Sequence, residues 1–253
     1  LYVLSSAYPE VMIMKVVLHQ IRHHLSILWW KILLLYGLEF TFLNFSDNFH
    51  CVYQEIHDYP KETDMSFLML LFFVVPVLLI AFLQLYTWYQ KGKVRWQLVM
   101  QQHFLQVIAD IIVIAGILMI GYLLFYGIYY KHSIAYLATN IKVNDVSPVF
   151  WQMVKQQTIM AKLLPVNVLS FISMILLIVQ LSSLLVAAVM TLWKEQVKPI
   201  TKMYLIFSLC VCFLRITYTT EYFQILFYTL CIFANIGVAT QCWERKKQEV
   251  RTC

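Results

Sequence analysis

The sequence predicts an all-α fold: a polytopic integral membrane bundle of about six transmembrane helices, with both termini in the cytosol. Three observations predict it. Six long apolar runs fill the 253 residues. Hydrophobic residues make up 61% of the chain and charged residues 13%, too few for a soluble domain whose surface must face water. The charges cluster in the polar stretches between the runs. A run of about 20 apolar residues crosses a hydrocarbon core of roughly 30 Å, and only a helix satisfies its own backbone groups there.

An amphipathic segment, residues 1–25, comes first. It carries Lys15, His19, Arg22, His23 and His24, and it offers no apolar stretch followed by a small-residue cleavage site. The spans then read Ser26 to Phe45, Met65 to Tyr89, Phe104 to Tyr130, Leu163 to Trp193, Met203 to Tyr218 and Tyr222 to Trp243. The fourth is long enough to tilt and has Pro165 in its first turn. The fifth is short, and only Thr219 to Glu221 join it to the sixth, so re-entry stays open beside full crossing. An acidic outer loop, 46–64, and a second outer loop, 131–162, lie on one side. A basic cytosolic tail, 244–253, ends the chain. No composition shift divides it, and one membrane domain, 1–253, is expected.

Orientation follows from lysine and arginine beside the spans. Lys91, Lys93 and Arg95 lie between spans two and three, and Lys194, Lys198 and Lys202 between four and five. Arg245, Lys246, Lys247 and Arg251 follow span six. These basic clusters place both termini in the cytosol. The loop 131–162 fits less well, with four lysines on the predicted outer side. Asn44-Phe45-Ser46 is a sequon for N-glycosylation close to the outer membrane surface. Residues from Pro148 to Lys162 are expected to form a short amphipathic helix on that surface, with Phe150 and Trp151 turned to lipid or protein. The net charge of +6 does not point to nucleic acid, because the basic residues sit beside apolar runs and form no basic domain. An integral protein of a eukaryotic plasma membrane or endomembrane is the expected setting.

Ionisable side chains inside spans are costly and therefore informative. Glu39 lies in the first span, two helical turns from Lys31, and Asp110 lies in the third. Lys31 and Arg215 have stems long enough to snorkel to the interface, and that is the expectation for both. Short acidic side chains reach water poorly, so Glu39 and Asp110 stand out. With Gln84, Gln180 and Asn235 they form a candidate intramembrane polar path. The plainer alternative is hydrogen bonding between helices. No Gly-x-Ser-x-Gly, Walker or His-Glu-x-x-His pattern is present, and no residue pattern calls for a metal or cofactor, so an enzyme is not expected. The cysteines within apolar runs, Cys210, Cys212 and Cys231, read as small hydrophobic filler.

Two stretches carry a resemblance to a known family. One covers about Glu39 to Gly92: acidic residues near an early span, a tyrosine-bearing acidic loop, then Leu70-Leu71-Phe72-Phe73-Val74-Val75-Pro76, then Tyr86-Thr87-Trp88-Tyr89. The other covers about Tyr204 to Trp243, where Tyr228, Asn235 and Trp243 fall on a late span. Both resemble the XK-related family of membrane proteins, which includes phospholipid scramblases. Ala81 departs from it, standing near the place of a family glutamine. The resemblance implies ATP-independent lipid movement between leaflets along a polar groove, with Glu39, Gln84 and Asp110 in its file. It also implies single-span chaperone subunits or lipid-transfer proteins as partners. Beside this reading stand two others: a non-catalytic accessory subunit of a larger membrane complex, and a chemosensory-type receptor or ligand-gated channel. Membrane lipids and another membrane subunit are the expected partners.

Overall fold

A computed structural model describes residues 9–45, 74–86, 103–140, 150–151, 163–193, 198–215 and 220–251. Among them the fold is all-helical and has six helices. These are α1 (Pro9–Phe45), α2 (Val74–Tyr86), α3 (His103–Asn140), α4 (Val168–Trp193), α5 (Pro199–Cys212) and α6 (Glu221–Arg251). Three of them are long and apolar enough to cross a membrane, over Phe104–Lys131, Val168–Leu192 and Glu221–Trp243. At ~1.5 Å per residue each of these windows exceeds the roughly 30 Å of a hydrocarbon core.

Burial is inverted relative to a water-soluble globule. The described interior holds His24, Asp110, Gln180, Arg215, Gln224 and Asn235, whereas Trp29, Leu33, Leu79, Ile120, Leu226 and Phe233 are exposed. Water would penalise both halves of that arrangement, and hydrocarbon rewards both.

The helical period explains which faces turn inward. On α1, His24, Leu28, Ile32 and Tyr36 are buried at intervals of four. On α2, Val77, Ala81 and Leu85 repeat the pattern. Such stripes line one side of a 3.6-residue helix. α4 is buried on most of its circumference and touches α3, α5 and α6, so it is the central helix. α6 lies outermost of the three long apolar helices: 33% of its apolar window is buried, against 56% for the other two.

Cross-helix contacts fix direction. His24 meets Asp110 and Tyr36 meets Ile117, so α1 and α3 run parallel. Ser173 meets Gln224 and Ser183 meets Asn235, so α4 and α6 are parallel too. Gln180 meets Ser208 while Ser173 meets Arg215, so α5 is antiparallel to α4. α5 begins with Pro199 in its first turn, where a missing N–H costs nothing. It ends in a 3-10 turn, Phe213–Arg215. The whole segment, α5 and its 3-10 turn, extends about 27 Å.

The element boundaries differ from the sequence reading at several places. α1 begins at Pro9 and passes through Ser26 without a break, so residues 9–25 belong to the same helix as the expected first span. No Gly or Pro interrupts Val11 to Tyr36, which explains the continuity. α3 continues to Asn140, so ten residues expected in the loop 131–162 are helical. They include good helix formers and no Gly or Pro. Phe150 and Trp151 are helical, and Phe150 is buried against Tyr129 and Tyr130. The rest of 141–162 and the acidic loop 46–64 lie outside the described residues. The backbone of the basic tail is helical as far as Arg251.

Candidate functional site

Polar side chains collect at three stations inside the bundle. The first joins α1 to α3. His24 Nε2 lies 3.0 Å from Asp110 Oδ1, and both side chains are almost fully buried. One turn before Asp110, Gln106 is also buried, and neither end of its amide has a partner among the described residues. α1 and α3 approach closely at one further point. The Tyr36 hydroxyl donates to the Ile117 carbonyl over 2.7 Å, and Gly121 makes room for it. A Cβ at Gly121 would stand 2.5 Å from that hydroxyl. Nearby, Lys31 Nζ donates to Gln84 Oε1 over 3.2 Å and ties α2 to α1.

The second station ties α4, α5 and α6 together. Gln180 Nε2 donates to Ser208 Oγ at 2.7 Å. Asn235 Nδ2 donates to Ser183 Oγ at 3.0 Å and, more weakly, to Gln180 Oε1 at 3.4 Å. Asn235 Oδ1 accepts from Tyr204 at 2.8 Å and from Ser208 at 3.2 Å. Every donor and acceptor of the two amides therefore finds a partner. Such closure is what a low-dielectric interior demands of buried amides.

The third station lies about 10 Å further along α4, at a ~1.5 Å rise from Gln180 to Ser173. Arg215 Nη1 donates to Ser173 Oγ at 3.0 Å, and Nη2 donates to Ser170 Oγ at 3.1 Å. Ser173 in turn donates to Gln224 Oε1 at 2.7 Å. At the end of the bundle, Asn167 Nδ2 donates to Glu221 Oε1 at 3.2 Å. Tyr122 lies within electrostatic reach of Arg215. Asp110 sits twelve residues earlier on α3, about 18 Å away along the axis, toward the opposite end.

The sequence-derived candidates distribute as follows. Gln180 and Asn235 meet. Asp110 pairs with His24, and Gln84 pairs with Lys31. The side chains of Glu39 and Asn44 lie outside the described residues. Arg215 does not snorkel: it is 3% exposed, because two serines of α4 offer it buried acceptors. Sequence reading missed His24, which it placed ahead of the first span. The missed signal was the four-residue spacing His24, Leu28, Ile32 and Tyr36, which puts the histidine on the packed face. Among the described residues, no three His, Cys, Asp or Glu side chains gather closely enough to hold a metal ion.

Comparison of the chain with family models, with curated proteins and with solved structures finds no match.

Proposed function

We propose that the protein crosses a eukaryotic plasma membrane or endomembrane about six times, with both termini cytosolic. Within it, the polar interior lets phospholipid headgroups pass between leaflets without ATP. The observation that supports this reading is the stacking of three polar stations through the depth of a bundle whose exterior is apolar. A headgroup entering hydrocarbon loses its hydration at a cost of several kcal/mol, and a file of fixed polar side chains offsets that loss. The resemblance to the XK-related family points the same way. Tyr228, Asn235 and Trp243, which carry it in the last span, share the buried stripe of α6. The test is dithionite quenching of a fluorescent phospholipid in vesicles containing the purified chain, with no nucleotide. Full loss of signal is expected for the wild type, and only the outer-leaflet half for Asp110→Ala. Wild-type vesicles that protect the inner half refute the reading.

A second reading is a non-catalytic accessory subunit. Its support is the closed second station, which leaves no amide group free for a passing ligand. The wide apolar face of α6, with Phe223, Leu226, Leu230 and Phe233 exposed, adds to it. Gentle purification from native membranes separates the two readings. A stoichiometric larger partner favours the subunit, and scrambling by the isolated chain favours the transporter.

A further inference from the structure

Among the described residues Arg215 has hydrogen bonds but no carboxylate in contact with it. Its guanidinium carries a full positive charge, and the two oxygens it meets, on Ser170 and Ser173, are neutral. Among the described residues no carboxylate lies within ion-pair distance of it. Its Nε–H has no partner among them either. A second buried donor stands beside it. The Tyr228 hydroxyl, with the residue 0% exposed, approaches the Arg215 backbone but makes no well-directed hydrogen bond among the described residues. The C-terminal end of α5 lends some negative potential. The N-terminal ends of α4, at Ser170, and of α6, at Glu221, oppose it. Two donors without partners among the described residues and a cation with no carboxylate in contact thus belong to neighbouring buried residues, where each is costly. Water would satisfy the donors and leave the charge. An anion satisfies all three.

We propose that Arg215 and Tyr228 form a binding site for a phosphate-type oxyanion at the Asn167–Glu221 end of the bundle. The site lies near the surface of that end, since Asn167 is exposed and Glu221 half-buried. Arginine donors suit a phosphate oxygen geometry better than a point charge does. Glu221, held by Asn167, acts on Arg215 from outside hydrogen-bond range and opposes the incoming anion. A lipid headgroup and free phosphate present the same chemistry. The proposal does not require transport, because an anion held here need not cross.

The test measures the thermal unfolding midpoint of the full chain in a neutral maltoside detergent. One arm titrates inorganic phosphate. The other titrates short-chain phosphatidic acid, with the matching diacylglycerol as the phosphate-free control. A saturable rise is expected in at least one arm, and which arm responds identifies the source. Arg215→Gln weakens the response by about ten- to a hundredfold in apparent Kd, the scale of charged hydrogen bonds. Glu221→Gln tightens it by about threefold, and Tyr228→Phe weakens it; both report even if Arg215→Gln fails to fold. No saturable response in either wild-type arm overturns the proposal. So does an unchanged response in Arg215→Gln, or weaker binding in Glu221→Gln, which would make Glu221 the internal counterion.

Discussion

Replacing Asn235 by Leu removes the centre of the second station while keeping the branched shape of the side chain. Four hydrogen bonds end on that one amide, from Tyr204 and Ser208 and to Ser183 and Gln180. In a membrane each interhelical hydrogen bond contributes about 0.6 kcal/mol on average, which sets a floor near ~2 kcal/mol. The substitution also strands Gln180 Oε1, whose bond to Asn235 is its one partner among the described residues. An unsatisfied buried acceptor adds about 1–3 kcal/mol. The expected loss is therefore about 3–5 kcal/mol, less whatever a penetrating water recovers. Reversible unfolding in bicelles, followed by tryptophan fluorescence, measures it. A double cycle with Ser208→Ala separates the shared part, and the two losses are expected to be less than additive. A loss below about 0.5 kcal/mol, within the range of neutral surface changes, refutes the claim that this network clamps α5 to its neighbours.

Other perturbations follow from the same contacts. Gly121→Ala drives the Tyr36 hydroxyl off the Ile117 carbonyl and is expected to cost about 1–3 kcal/mol; combining it with Tyr36→Phe should cost less than the sum, by the same unfolding assay. Asp110→Leu takes the carboxylate away from buried His24 and is expected to cost about 1–3 kcal/mol, while the double change to Leu recovers much of it; a double loss equal to the sum of the two single losses would show that the pair is not coupled. Lys31→Met removes a half-buried contact to Gln84 and is expected to shift stability by no more than about 1 kcal/mol. A larger loss would show that Lys31 carries weight the geometry does not assign.

Legibility varied with the range of the interaction. The three long apolar helices stand out in the sequence because hydrocarbon demands consecutive apolar residues, and that demand is local. The path candidates Gln180 and Asn235 were visible for the same reason, as rare amides inside apolar runs, and they touch. Asp110 was visible as well, but its partner was not. Pairing it with His24 depends on the register of α1 against α3, which no local pattern encodes. Arg215 shows the same limit. Its stem is long enough to snorkel, and nothing nearby in sequence forbids it. Burial was decided by Ser170 and Ser173, two small residues more than forty positions away. Helix ends were the least legible, since α1 and α3 run on through polar residues of good propensity.

The bond between Gln180 and Asn235 spans 55 residues of chain, and this has a bearing on biogenesis. The ribosome delivers α4 to the bilayer before α5 and α6 exist. Until they arrive, the amide of Gln180, in the middle of a long apolar helix, lacks its partners Ser208 and Asn235. Synthesis order therefore leaves the polar centre of α4 without these contacts until its last two companions are made.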